Sequence, residues 1–269
     1  MKSTALLPFL ALFGTSLSAQ SAPLLSWNFN EGGGAYTANL GSAGDANLYT
    51  VAVGGDGMPF FSADAKGVSE KTGDYALDLT SATGMGATTP NSTGPAAVVW
   101  SNSTGLSALS GLSSFTLTGW INPAVPLNAS ARIVVAGPIT LMAGTEDRLS
   151  LQVNGTHSDV QSEPSFNKPG AWIFFAAVYD GTRTTDNVTY YVATTTPGTL
   201  TVAGTTTIAA GKLKPFSGQF LVGNNATKSA TTRPFKGLID NLAVHGAKDD
   251  ASGALTKEKI EAIRAAATR

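Results

Sequence analysis

The side chains able to move protons are scarce in this chain. Six glutamates (Glu31, Glu70, Glu146, Glu163, Glu258, Glu261) and two histidines (His157, His245) serve 269 residues. A glycosidase needs two carboxyl groups about 5–10 Å apart across the scissile bond. On a strand they would recur at alternate positions, because a period of two puts such residues on one face. No E-x-D-x-x-E string occurs. Glu258 and Glu261 fall in a helical segment, and the other four glutamates lie in Gly-, Pro- or Thr-rich stretches. Glu146–Asp147 reads as a solvated turn. His157 follows Asn154–Gly155, a hairpin signal that places it exposed near a loop tip. His245 ends an apolar run where a bulky side chain would pack. A lyase would need His, Tyr and Arg converging on one cleft. No G-x-S-x-G elbow supports a serine nucleophile, although a triad of dispersed residues stays open. Cysteine is absent, which excludes zinc-thiolate sites and cysteine nucleophiles. The chemistry reads as non-enzymatic.

Composition narrows the partners. Charged residues make up 13%, against about 25% in an average globular protein. Lys+Arg (17) nearly cancels Asp+Glu (18), so no basic face is expected for nucleic acid or an anionic membrane. Met1–Ala22 has the makings of a secretory signal: Lys2, the apolar stretch Ala5–Phe13, then small residues suited to cleavage. No later segment approaches the ~18 apolar residues of a membrane span, so no membrane insertion is expected after signal removal. The chain is therefore expected to be secreted or at the cell surface, with the periplasm open. Residues 1–22 are assigned as signal and 23–269 as one domain.

The elements that must position any site are strands. Short β-branched and aromatic runs recur between Gly, Pro, Asn and Ser clusters: Leu24–Phe29, Tyr75–Leu79, Ala96–Trp100, Phe115–Ile121, Ile133–Val135, Leu149–Val153, Trp172–Tyr179, Val188–Ala193, Phe220–Val222 and Gly237–Val244. In Phe115–Ile121, Phe115, Leu117, Gly119 and Ile121 share one face; Thr116, Thr118 and Trp120 share the other. So many short strands indicate an all-β sandwich. Thr194–Thr207 reads as a hairpin with polar strands. Thr256–Ala267 reads as one short helix with Thr256 as N-cap and Leu255, Ile260 and Ile263 on one side.

In their order these segments resemble the LamG-like, concanavalin A-like lectin/glucanase jelly rolls of secreted bacterial proteins. SWNFNEGGG (Ser26–Gly34) is similar to that family's opening strand and turn. GDYALDLT (Gly73–Thr80), FTLTGWINP (Phe115–Pro123), WIFFAAVYDG (Trp172–Gly181) and FKGLIDNLAVHGAKDDASGALTKEKIEAI (Phe235–Ile263) resemble later strands and the closing helix. The resemblance covers about Leu25 to Ala267. It implies a jelly roll of two antiparallel sheets with a C-terminal helix. The chain departs from the family at Ile173–Phe175, where a histidine is common, and at Asn241, where glutamate is common.

The resemblance also implies a structural calcium. Calcium takes six to eight oxygens, which loops rich in Asn, Asp and Gly supply. Asn39–Asn47 resembles the family's D-x-SG-x-x loop with Asn39 in the aspartate position, and Asp240 resembles the aspartate of its closing strand. Asn39, Asp45 and Asp240 are the ligands so implied. For a sugar, exposed rings are needed beside hydrogen-bonding groups. Trp27, Trp120 and Trp172 fall inside strands and are expected in the core. Trp100 precedes Ser-Asn-Ser-Thr at a strand end, so it and the loop aromatics Phe60, Phe61, Tyr36, Tyr49 and Phe166 are the candidate ligand contacts. The reading is a non-catalytic recognition module for extracellular polysaccharide or glycoprotein. A structural or adhesive cell-surface protein without a sugar ligand is the alternative, with a hydrolase or lyase ranked below both.

Overall fold

The computed structural model describes residues 22–53, 60–81, 94–124, 126, 130–143, 148–161, 168–225 and 234–269. Residues 1–21 of the expected signal, the Glu146–Asp147 pair and the candidate contact Phe166 lie outside them. In chain order the strands are β1 (Leu25–Trp27), β2 (Tyr36–Thr37), β3 (Leu48–Val53), β4 (Phe60–Lys66), β5 (Tyr75–Asp78), β6 (Gly94–Val99), β7 (Ser114–Pro123), β8 (Arg132–Ala136), β9 (Ile139–Ala143), β10 (Arg148–Val153), β11 (Thr156–Gln161), β12 (Ile173–Asp180), β13 (Val188–Ala193), β14 (Thr201–Thr206), β15 (Phe220–Val222) and β16 (Gly237–Ala247). A 3-10 helix spans Thr104–Leu109, and helix α1 spans Lys257–Ala267. The first sheet has the order β14-β13-β12-β7-β16-β5-β4, with β1 also paired to β16; the second runs β11-β10-β9-β8-β15-β6-β3-β2. The strands pair antiparallel in both, which gives the expected sandwich.

The alternation in β7 sets the layers. Phe115, Leu117 and Ile121 enter the core between the sheets with Trp27, Phe175, Tyr179 and Phe220. Gly119 shares that face because a Cβ there would stand 2.9 Å from the Phe175 ring. Tyr190 crosses the core from β13: its hydroxyl accepts the Leu151 N–H at 2.8 Å and donates to the Ser158 carbonyl at 2.8 Å. That bond ties the two sheets at a point where apolar packing alone fixes no register.

The outer face of the first sheet is buried too. Trp120 meets Phe174 edge-on at 5.3 Å, and Trp172, Val178, Leu255 and Ile260 pack around them beneath α1. Thr116 looks misplaced on such a face until its hydroxyl is followed. It donates to the Gly253 carbonyl at 2.7 Å and accepts the Leu255 N–H at 2.9 Å, anchoring the segment that leads into α1. Thr256 is the N-cap, as expected. Near the other end Arg264 lies buried, donating twice to Glu261 (2.7 and 2.8 Å) and to the Thr194 carbonyl (3.2 Å). The 194–207 stretch holds one polar strand, β14, which closes a hairpin with β13 in place of the expected hairpin of polar strands within the stretch. No described helix is long and apolar enough to cross a membrane.

Asp240, fully buried in β16, accepts the Val68 N–H at 2.9 Å and so clamps the β4–β5 connection to the sheet. Burial pushes its pKa up to about 7; the Val68 N–H opposes the rise and the Asp74 carboxylate adds to it. A carboxyl with a higher pKa folded than unfolded contributes stability that is complete below the unfolded value near pH 4 and is lost as pH rises through about 7. Asp240→Asn keeps an acceptor for Val68 and cannot ionise. Urea unfolding at pH 4 and pH 8 should therefore show a smaller loss of stability in Asp240→Asn than in the parent. Equal losses would contradict the assignment.

Candidate functional site

Strand β6 delivers Trp100 to solvent. Ala97 and Val99 point into the core, so by alternation Val98 and Trp100 point outward, and Trp100 is 41% exposed. The chain then turns, with the Ser103 N–H donating to the Trp100 carbonyl at 2.9 Å. The following 3-10 helix is rooted by Leu106 and Leu109 in the core and by Gly105, whose N–H meets the Asp45 carbonyl at 2.7 Å. A side chain at Gly105 would collide with that carbonyl. The segment is thus held close to the sandwich, with Ser101, Thr104 and Ser107 exposed and Ser107 Oγ donating to the Thr104 carbonyl at 2.8 Å.

The opposite wall is the approach to β15. Phe216 lies half-buried against Gly137, and its N–H donates to Ser110 Oγ at 3.0 Å. Between the walls is a cleft of about 330 Å³ lined by the hydroxyls of Ser101, Ser103, Thr104, Ser107, Ser110 and Ser217 with the Phe216 ring. That volume is in the small-ligand range. None of the lining residues ionises. Such a surface donates and accepts hydrogen bonds without net charge, which suits a neutral polyol and offers neither a general acid nor a countercharge for an anion.

The other expected residues lie elsewhere. Phe61 was expected in a loop; it sits in β4, is 2% exposed and stacks on Phe29 at 6.2 Å, so its ring belongs to the core and not to a ligand. Phe60 is also in β4, opposite Asp78, and its side chain lies outside the described part. His157 is exposed beside the Asn154–Gly155 turn, its Nε2 3.0 Å from Gln152 Nε2. His245 is buried opposite Thr116. Asp74 and Asp240 form a close carboxyl pair: a Cβ at Gly67 would come within 2.6 and 2.8 Å of their oxygens. A raised pKa beside a second carboxyl often marks an active site. Here Asp240 has no exposed surface, so no glycosidic oxygen reaches it. Phe216 escaped the sequence reading because it joins Trp100 and the serines only through the order of strands β6, β15 and β8.

Comparison with known proteins agrees with this architecture. The sequence profile of the concanavalin A-like lectin/glucanases superfamily matches residues 93–252, more than half of the chain. The fold is similar to domain 4 of AbnA, a GH43 extracellular arabinanase from Geobacillus stearothermophilus solved with arabinotriose: 15% identity, TM-score 0.57, 91% of this chain and 99% of that one. A GH54 α-L-arabinofuranosidase soaked with a cyclic sulfate inhibitor gives 10% identity and TM-score 0.58, over 93% of this chain and 64% of that one. The receptor binding domain of botulinum neurotoxin mosaic serotype C/D gives 10% and 0.52, over 92% and 51%. At these identities the likeness is one of fold. No curated protein matches in sequence.

The three residues implied as calcium ligands do not fit such a set. Asn39 Oδ1 already accepts the Ser26 and Gly41 N–H groups, both at 2.9 Å, and its Nδ2 donates to the Gly44 carbonyl at 2.9 Å. Asp45 is exposed and engages the fold through its backbone carbonyl, while Asp240 turns Oδ2 to Val68. Among the described residues no group of three or more His, Asp or Glu is placed to hold a metal. Asn39 acts instead as a staple of the 39–47 loop. Asn39→Ala should lower stability by about 1–3 kcal/mol, since it leaves part-buried N–H groups unpaired. The loss should be the same in calcium and in chelator, read as a shift in the thermal midpoint. Stabilisation of the parent by calcium that vanishes in Asn39→Ala would contradict the staple.

Proposed function

The chain belongs to the concanavalin A-like lectin/glucanases superfamily, and from that premise we propose that it is a non-catalytic carbohydrate-binding module. The observation that carries the reading is the uncharged, serine-rich cleft with Phe216 as one wall, whose first lining residue, Ser101, directly follows the exposed Trp100. Sugars combine apolar ring faces with a fringe of hydroxyls, so an aromatic beside neutral donors and acceptors matches both parts. The similar arabinanase domain was solved with arabinotriose, which supports sugar recognition on this framework without placing it at this cleft. In this reading residues 1–22 are a signal peptide, residues 23–269 act as one exported domain, and the target is an extracellular polysaccharide or the glycan of a glycoprotein. Catalysis is left out because the cleft brings no carboxyl or imidazole to a bound sugar.

Affinity electrophoresis through gels containing soluble neutral polysaccharides tests this directly. The parent should be retarded by at least one of arabinan, xylan, galactomannan and mixed-linkage glucan. Trp100→Ala should lose roughly tenfold in affinity, the equivalent of about 1.4 kcal/mol, with the protein still folded and only a small drop in thermal midpoint, because the residue is at the surface and outside both cores. Unaltered migration of the parent across the panel would contradict the proposal and favour a structural or adhesive role.

A further inference from the structure

We infer that the cleft is one end of a longer track, which binds an uncharged polysaccharide along several consecutive units and runs from the cleft across Trp100 to Tyr49 and Tyr36. The inference rests on the carbohydrate reading above and extends it to ligand length and charge. Its basis is strand register. Thr37 is fully buried and lies opposite Leu48, which is in the core, so their neighbours Tyr36 and Tyr49 point outward. The two tyrosines are direct cross-strand partners, with ring centroids 5.4 Å apart. Tyr49 in turn lies opposite Val98, and Trp100 is two residues further along the same face. That diagonal spacing, about 7–8 Å, is within reach of aromatic side chains. The Ser101–Ser110 segment follows Trp100, and Phe216 leads into β15, the next strand over.

Aromatic and hydroxyl groups therefore succeed one another in the strand order β2, β3, β6, β15 at one end of the second sheet. From Tyr36 to Trp100 the row crosses two strand spacings, about 10 Å in all. Tyr36 is 50% exposed and Trp100 41%, although most large rings in this chain are sealed. A chain of sugar rings presents stacking faces at comparable intervals and hydroxyls between them. A protein partner would bury such rings against apolar side chains and gain little from the cleft's hydroxyls. An anionic polymer would need cations, and the cleft is lined by none.

The test is calorimetric titration of the full chain with arabino-, xylo- and cello-oligosaccharides of increasing length, from disaccharide to hexasaccharide. For the series that binds, affinity should rise at least tenfold from the shortest to the longest member. Tyr36→Ala should remove most of that rise and leave disaccharide affinity unchanged, while Tyr36→Phe should retain it because the ring persists. Affinity should be insensitive to added sodium chloride. Length-independent binding, or a hexasaccharide bound equally by parent and Tyr36→Ala, overturns the track and leaves the cleft standing. Binding that falls steeply with salt overturns the uncharged ligand. A parent that binds none of the three series overturns the track together with the carbohydrate reading beneath it.

Discussion

Burial of both faces of the first sheet is the constraint on which the molecule is organised. Its inner face forms the core with the second sheet, and its outer face carries a second apolar layer closed by α1 and the segment before it. This explains the nearly unbroken apolar run of β12, where a one-sided sheet would alternate with polar residues. It also explains the hydroxyls on β7, which complete backbone hydrogen bonds of the crossing segment. Without α1, the Trp120–Phe174 layer would be a contiguous apolar patch of the kind soluble surfaces rarely show. Arg264 fixes the helix by reaching the β13–β14 turn.

The proposed function rests on what that constraint leaves. Trp27 is in the inner core, and Trp120 and Trp172 are under the helix, so Trp100 is the tryptophan with substantial exposure. The middle of the second sheet's outer face is closed as well, since Ala96 and Val98 have no accessible surface. The proposed recognition site is at the sheet's end, where the Gly105–Asp45 and Phe216–Ser110 bonds hold the two cleft walls in place. A site held by its own backbone loses little further entropy on binding. Asp240, with its raised pKa, lies in the other sheet and serves the fold.

Much of this was legible in the sequence, and the misses have physical reasons. The alternation of Phe115–Ile121, the closing helix with Thr256 as its cap, and the exposure of Trp100 before a Ser-rich turn each depend on local pattern, and each stands. Strand β11 (THSDVQ) carries a weak apolar pattern and exists because its neighbour supplies its ladder bonds. Phe61 was placed in a loop for the same reason: the polar SADAK after it hides a strand. Asn39 was noticed for an oxygen that could bind metal, but whether such an oxygen faces a cation or two backbone N–H groups is decided by loop geometry. Phe216, and the pairing of the expected contacts Tyr36 and Tyr49 across β2 and β3, depend on strand order, which no local spacing encodes.

The most direct measurement of the account is acrylamide quenching of intrinsic tryptophan fluorescence, with and without a saturating neutral polysaccharide. Three of the four tryptophans are at most 9% exposed, so the readily quenched component reports Trp100. The account predicts that this component is present in the free protein and is shielded when the polysaccharide is bound. Quenching that is unchanged in a protein demonstrably loaded with the polysaccharide would place the sugar away from Trp100 and contradict the site described.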